Sequence, residues 1–210
     1  MSVSFYILGA SGRLEQFRPL LLKSLATGRA AVEKKLLLPN IDVVIEDNPT
    51  AAIPETGVGG YAPSAHLLYI HIDPQHKGLE GVLASEIKST LAHELHHCAR
   101  WASIGYGHTL PEALVSEGLA DHFDIEINGG DPKLWSIAIQ GNELEILFQK
   151  AKQEFNNPEY NHSAWFYGSA ETPRWAGYSL GFQIVSEYIK KSGKNASELV
   201  SEPASVFVTS

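Results

Sequence analysis

The segment Leu79–Trp101 constrains this chain more than any other part, because its pattern requires a long helix with two different faces. Apolar residues recur along it at spacings of three and four, and such a stripe has to be buried in a core. The residues of this apolar stripe are Leu83, Ile87, Leu91, Leu95 and Cys98. The residues of a second, more polar face are Glu86, Thr90, His93, His97 and Trp101. We therefore expect a helix that packs on one side and carries polar groups on another.

His93 and His97 stand four residues apart in the run His93-Glu94-Leu95-His96-His97. Residues at this spacing are neighbours on a helix surface, so the two imidazoles can hold one metal ion between them. Glu94 lies about 100° around the helix axis from His93. It can flank an ion without binding it, which suits a general base that acts on a water molecule. The alternative is a solvated helix face whose histidines coincide by chance.

A catalytic zinc ion has three protein ligands and one open position, so a third ligand is needed. A third histidine six residues after His97 is excluded, because Ser103 stands there. Arg100 also occupies the place of the glycine that would accompany such a histidine. The other common solution is a glutamate on the next helix, which the pattern predicts over Pro111–Ile127.

Glu117 is the best candidate for that glutamate. It lies 20 residues after His97, and Asp121 follows it by four residues on the same helix face. Glu112 is a competitor, but it falls in the first turn of the helix and has no such partner. The pattern therefore distributes a candidate set of three ligands over two successive helices.

Two stretches together resemble a known pattern: His93–His97, which reads HELHH, and Glu117–Asp121, which reads EGLAD. An H-E-x-x-H motif followed about twenty residues later by E-x-x-x-D is similar to the gluzincin pattern of thermolysin-like peptidases. HELHH followed by SEGLAD looks closer still to a family of bacterial predicted Zn-dependent proteases, the YjaZ-like group, which lacks a well-defined substrate. The overlap covers roughly Thr90 to Phe123, with a weaker one at Gly177–Val185.

The resemblance implies a zinc-dependent metallopeptidase that hydrolyses peptide bonds through a zinc-activated water. It implies that His93, His97 and Glu117 bind Zn2+ and that Glu94 is the catalytic base and acid. Asp121 would hold the N–H of an imidazole, that of His93, so that the other ring nitrogen faces the metal. The implied fold is α+β and zincin-like, with a small N-terminal mixed β-sheet, the active-site helix and a helical C-terminal lobe.

Peptide hydrolysis passes through a tetrahedral oxyanion, which needs a second electrophile, often a tyrosine or a histidine. Tyr178 is the first candidate, because it lies in a G-Y-x-x-G run at the start of a predicted helix. His162 and Tyr167 are alternatives on a predicted loop. A packed helix tyrosine with a satisfied hydroxyl explains Tyr178 equally well.

Short runs of apolar and β-branched residues predict a small mixed sheet in the first half of the chain, and helical patterns dominate the second half. The predicted strands are Val3–Leu8, Ile41–Glu46 and Ala65–Asp73. A helix is predicted at Leu14–Leu38 and a loop at Asn48–Gly60. Later helices are predicted at Asp131–Ile139, Glu143–Asn156 and Arg174–Lys191. We predict a single zincin-like domain over residues 1–210, with an N-terminal lobe of about 1–101 and a C-terminal lobe of about 102–210.

The family layout also suggests where a substrate would lie. In zincins an extended substrate pairs with the edge strand of the sheet. The strand that follows the predicted loop is the candidate edge strand. Gly59, Gly60 and Tyr61 would then lie near the cleft.

Composition narrows the class of protein. A formal net charge of −8 over 210 residues argues against a nucleic-acid-binding protein, which usually carries a basic surface. Cys98 is the only cysteine, so no intrachain disulfide is possible. The N-terminus lacks the pattern of a signal peptide, and no apolar run approaches the roughly 20 residues of a membrane helix. We therefore expect a cytoplasmic protein with a peptide or protein substrate and with neither nucleic-acid nor membrane partners.

Two other functions fit the same residues. One is a zinc hydrolase of a non-protein amide, such as a peptidoglycan fragment, because the motif indicates the chemistry and not the substrate. The other is a catalytically silent zinc-binding regulatory protein. The presence of Glu94 weighs against the silent protein, since a purely structural metal site needs no general base and usually has four protein ligands.

Overall fold

The computed structural model describes residues 2–208 and divides the chain into two compact units, Met1–Ala102 and Ser103–Ser210. The strands are β1 (Val3–Ile7), β2 (Ile41–Asp47), β3 (Val58–Ser64) and β4 (Leu67–Ile72). The helices are α1 (Arg18–Val32), α2 (Leu79–Ser103), α3 (Leu110–Asn128), α4 (Gly141–Glu154), α5 (His162–Tyr167), α6 (Ala176–Ser192) and α7 (Ser205–Val208). Single 3-10 turns lie at Glu15–Phe17 and Ala196–Leu199.

The strands of the first unit form one sheet in the order β1-β2-β4-β3. β1, β2 and β4 run parallel, whereas β3 is antiparallel to β4 and lies at the edge of the sheet. Helix α1 makes the crossover that the parallel neighbours β1 and β2 require. The pairing of β3 with β4 is regular from Val58 to Tyr61 and shifts register between Tyr61 and Ser64.

One face of α2 builds the core of the first unit. The five residues of the predicted apolar stripe are all 0% exposed, which confirms that face of the helix. Alternate residues of β4 are buried with them: Leu68, Ile70 and Ile72. Helix α1 packs closely on α2, because Gly28 has no side chain and lies against Leu91 and the backbone of Lys88. Sheet, α1 and α2 therefore share one core.

The helix predicted over Leu14–Leu38 is too long. Helix α1 ends at Val32, residues 33–35 form a turn, and residues 36–40 have no regular secondary structure. Leu36 and Leu38 are buried there while Leu37 is 80% exposed, an alternation typical of a strand and not of a helix. The apolar residues that suggested more helix fill the core from this non-helical segment.

The predicted loop is also too long, because residues 58–60 belong to strand β3. Gly59, Gly60 and Pro63 conceal this strand in the sequence, since glycine and proline are depleted in strand interiors. The edge strand is therefore β3 itself. The segment Ala65–Asp73, which we expected at the edge, contains β4 and lies inside the sheet between β2 and β3.

In the second unit, helices α3 and α6 cross at very short range. A Cβ atom on Gly118 of α3 would collide with the carbonyl group of Gly181 on α6. A Cβ atom on Gly181 would in turn collide with the carbonyl oxygen of Leu114. Glycine at both positions permits this backbone contact. Helix α3 is buried along almost its full length, which fits a position at the centre of the unit.

The helix predicted over Asp131–Ile139 is wrong, because this stretch forms turns. The indole of Trp135 donates to Asp121 Oδ1 at 3.2 Å, and the hydroxyl of Ser136 donates to Asp121 Oδ2 at 2.6 Å. The hydroxyl of Ser179 donates to the carbonyl of Trp135 at 2.9 Å. Bonds to side chains of α3 and α6 thus replace the backbone bonds of a helix.

The protein therefore has the predicted α+β fold, with a small mixed sheet and a mainly helical second unit. The single-domain organisation stays a prediction. None of the helices within residues 2–208 is long and apolar enough to cross a membrane.

The α3–α6 contact predicts that Gly118→Ala destabilises the protein by about 1–3 kcal/mol, because the added methyl group overpacks against backbone that cannot rotate away. At this chain length we expect the melting temperature to fall by roughly 2–4 °C for each kcal/mol. Gly81→Ala is the matched control, since Gly81 also lies in a helix and a Cβ there meets nothing within 4 Å. A melting temperature as high for Gly118→Ala as for Gly81→Ala would contradict the assigned contact.

Candidate metal centre

His93 and His97 bring two imidazole nitrogens together on helix α2. Their Nε2 atoms are 3.0 Å apart, and the two rings meet edge to face with centroids 4.7 Å apart. Two nitrogens that each lie about 2.0–2.1 Å from one tetrahedral zinc ion would be about 3.3 Å apart. The pair therefore needs to open by only a few tenths of an ångström to hold an ion. The donor set and its spacing fit a zinc ion.

Glu94 is buried beside this pair and faces strand β3. It is 5% exposed, and its side chain lies directly against the backbone of Gly60. A carboxylate in such a place is constrained by the strand and by the turn of helix that carries Thr90. The predicted general base is thus held at the edge strand of the sheet.

Helix α2 is tied to the same strand at two further points. The indole of Trp101 donates to the carbonyl of Ala62 at 3.2 Å, and the thiol of Cys98 donates to the carbonyl of Ser64 at 3.5 Å. Burial raises the pKa of the Cys98 thiol, with a further contribution from the charge of Glu94. Cys98 is therefore a small buried side chain, as predicted, and not a nucleophile.

His96, between the paired histidines, is 0% exposed and does not belong to the pair. Three polar positions of the motif are thus buried: Glu94, His96 and His97 are each at most 5% exposed.

Glu117 has a fixed orientation in the second unit. It is 8% exposed, and its Oε1 accepts a hydrogen bond from the hydroxyl of Tyr106 at 2.5 Å. Burial, followed by the charge of Glu117 and this hydrogen bond, raises the pKa of Tyr106, so that its hydroxyl remains a donor. A carboxylate held in this way can present its other oxygen to a metal ion.

The loop before α3 delivers Tyr106. Gly105 and Gly107 flank it with φ angles of 82° and 94°, which favour glycine. Gly107 lies against the side chain of Glu112, since a Cβ there would be 2.5 Å from the Cβ of Glu112. Glu112 and Thr109 form a capping box at the start of α3. Glu112, the sequence competitor for the third ligand, is thereby committed to the helix terminus.

Asp121 is 3% exposed and lies one turn after Glu117 on α3. Within the second unit its two oxygens accept from Trp135 and Ser136. These donors hold the carboxylate in one orientation, and a carboxylate oxygen can accept a further bond. The predicted role of Asp121, to orient the imidazole of His93, stays a prediction.

The structure separates the three candidates for the second electrophile. Tyr178 packs edge to face on Phe166, with centroids 5.0 Å apart, and its electrostatic interaction with Tyr106 contributes to the raised pKa of Tyr106. His162 stacks on the same Phe166 at 4.4 Å. Burial lowers the pKa of His162, and Glu117 partly offsets this. Tyr167 is 65% exposed, which argues against a place beside the reacting groups.

Sequence reasoning missed two residues near Glu117. They are Tyr106, which donates to Glu117, and Tyr160. The hydroxyl of Tyr160 lies 2.9 Å from Nδ1 of His162. Burial, and then the charges of Glu117 and Glu112, raise the pKa of Tyr160 to about 12. Only the G-Y-G run around Tyr106 hinted at such a role, because a tyrosine between two glycines is an unusual loop.

Comparison with protein families identifies the family of the chain. Residues 24–209 match the model of the family described as "Predicted Zn-dependent protease (DUF2268)". The match covers most of the chain and includes both halves of the candidate centre. The chain therefore belongs to this family of predicted Zn-dependent proteases, which confirms the YjaZ-like resemblance.

Two proteins of Bacillus subtilis (strain 168) are similar to the chain. The uncharacterized protein YjaZ is 24% identical over 129 residues, which are 58% of this chain and 49% of YjaZ. The uncharacterized protein YjfC is 23% identical over 172 residues, which are 74% of this chain and 55% of YjfC. The chain thus spans about half the length of the curated relatives it matches. No solved structure matches it at the threshold of significance applied to these relatives.

Proposed function

We propose that the protein is a zinc-dependent metallopeptidase of the gluzincin type. The observation that carries this proposal is the pair of Nε2 atoms of His93 and His97, 3.0 Å apart, with the buried carboxylate of Glu94 on the next residue. Glu117 is proposed as the third ligand, because two histidines and one glutamate are a set of side chains that holds a catalytic zinc ion. Membership of the family of predicted Zn-dependent proteases supports the choice of metal.

A zinc ion held by these residues would polarise the scissile carbonyl and acidify water. The chain's own contribution to the chemistry is a proton path through Glu94. Its carboxylate takes a proton from the attacking water and passes it to the leaving amine nitrogen, so that the amine departs neutral. The burial of Glu94 against Gly60 keeps the carboxylate in one position for both transfers.

Asp121 and Tyr178 complete the proposal. Asp121 accepts the second N–H of the His93 imidazole and thereby fixes its tautomer. Tyr178 donates its hydroxyl to the oxyanion, with His162 as the second candidate because both pack on Phe166. The substrate is a peptide or protein in an extended conformation, which pairs with the edge strand β3 beside Gly60.

The test of the mechanism is Glu94→Gln. This change keeps the size of the side chain but removes its charge and its basicity, so turnover should fall by at least about 100-fold. Zinc content, measured by elemental analysis of the purified protein, should stay at the wild-type level. A peptide-library digest analysed by mass spectrometry gives the activity. Glu80→Gln is the matched control, because Glu80 lies exposed in the first turn of the same helix.

Full activity of Glu94→Gln would rule out this mechanism. The same preparations should be assayed on peptidoglycan fragments, because the metal chemistry does not depend on the kind of amide. Cleavage of those fragments without cleavage of any peptide would move the proposal to a non-protein amide. Stoichiometric zinc without any cleavage would favour a silent zinc-binding protein.

Tyr106→Phe tests Glu117 as a ligand without altering it. The change removes the hydrogen bond to Oε1 and leaves the ring in place, so the affinity for zinc should fall by about 10–100-fold. Competition with a chromophoric chelator measures this affinity. Tyr167→Phe, at an exposed tyrosine of the same unit, should leave it unchanged. An unchanged affinity in Tyr106→Phe would remove Glu117 from the proposed ligand set.

Tyr178→Phe tests the proposed electrophile. Loss of one donor to an oxyanion costs about 100–1000-fold in kcat, whereas zinc content should not change. His162→Asn is measured beside it. If only His162→Asn loses kcat at constant zinc content, the role passes from Tyr178 to His162.

A further inference from the structure

We propose that Gly60 is a positioning residue for Glu94: the missing side chain of Gly60 creates the space in which the carboxylate of the base lies. This inference rests on the proposed function of Glu94. It assigns a specific role to one glycine of the edge strand β3, and the contact that carries it lies entirely within the first unit.

The contact is direct. A Cβ atom at position 60 would collide with Oε1 of Glu94 and would lie 2.7 Å from Glu94 Cγ and 2.7 Å from Thr90 Cγ2. Real Cβ contacts are essentially never shorter than 3.0 Å, so even a methyl group would force a rearrangement. The terminal part of a glutamate side chain can rotate more cheaply than a strand or a helix can shift. The carboxylate would therefore move first.

The strand and the helix have little freedom to separate. Strand β3 is paired with β4, where Gly60 faces Ile70. At its other end the strand accepts hydrogen bonds from α2, at Ala62 from Trp101 and at Ser64 from Cys98. Because both sides of the contact are anchored, a side chain at position 60 would be accommodated by displacement of Glu94 and not by a wider gap.

The neighbouring Gly59 shows that the effect belongs to one face of the strand. Successive residues of a strand point to opposite faces. A Cβ at Gly59 would instead meet the carbonyl oxygen of Ala51, 2.5 Å away, in the loop before β3. Both glycines are packed, but only Gly60 faces the base. Gly59 therefore offers a matched control for the steric cost of a methyl group on this strand.

The activity test is Gly60→Ala. A displacement of the base by about 1 Å can cost on the order of 100-fold, so we expect kcat to fall by about that factor. KM should stay within about twofold, and zinc content and the visible spectrum of the cobalt-substituted protein should not change. Gly81→Ala, an open helix position, should match the wild type in every measurement. Wild-type kcat in Gly60→Ala would overturn the inference.

A second measurement does not depend on activity. Gly60→Ala should lower the melting temperature by roughly 2–10 °C in the wild-type background. In a Glu94→Ala background, where the obstructing carboxylate is gone, the same change should cost less than half as much, and the remainder reflects the methyl group of Thr90. Gly59→Ala should cost the same in both backgrounds, because it does not contact Glu94.

The two measurements separate the inference from the proposed function. If the wild type cleaves neither peptides nor amides, the proposed function fails, and the melting-temperature cycle still decides whether Gly60 and Glu94 are coupled. Equal losses for Gly60→Ala with and without the Glu94 side chain would disprove the coupling, whatever the activity of the wild type.

Discussion

The first unit depends on how helix α2 buries polar side chains on a face next to its apolar stripe. Glu94, His96, His97 and Arg100 are all at most 5% exposed. Burial of such groups is costly unless each one has partners, and partners restrict movement. Helix α2 is held against strand β3 by the bonds from Trp101 to Ala62 and from Cys98 to Ser64 and by the contact of Glu94 with Gly60. These contacts fix the position of the predicted base and of the two histidines relative to the sheet.

The second unit also buries charged side chains, and it holds them by a different arrangement of partners. Helix α3 carries two buried carboxylates, Glu117 and Asp121, one turn apart. Each is held by donors that come from loops: Tyr106 from the G-Y-G loop before α3, and Trp135 with Ser136 from the turns that follow it. The close crossing of α3 with α6 keeps this helix at the centre of the unit. Rigid helices thus carry the acidic groups, and loops set their orientation.

Features set by the spacing of residues within one helix could be predicted from the sequence, whereas features set by partners elsewhere in the fold could not. The apolar stripe, the histidine pair and the helix that bears Glu117 depend on spacings of three and four residues, which are visible along the chain. The sequence did not predict the first half of strand β3, because Gly59, Gly60 and Pro63 have low strand propensity. The error at Asp131–Ile139 has a related cause, since Trp135 and Ser136 bond to Asp121, which lies 14 and 15 residues away in the sequence. Local pattern cannot reveal a partner that only the fold brings near.

The edge strand itself limits where the proposed peptide could pair. The carbonyl of Val58 already accepts a hydrogen bond from Thr56, and the carbonyls of Ala62 and Ser64 accept from α2. Pro63 lacks an amide hydrogen. Between these positions lies Gly60, the residue that packs against Glu94. An extended chain that pairs beside Gly60, as proposed, would be aligned by backbone groups next to the base.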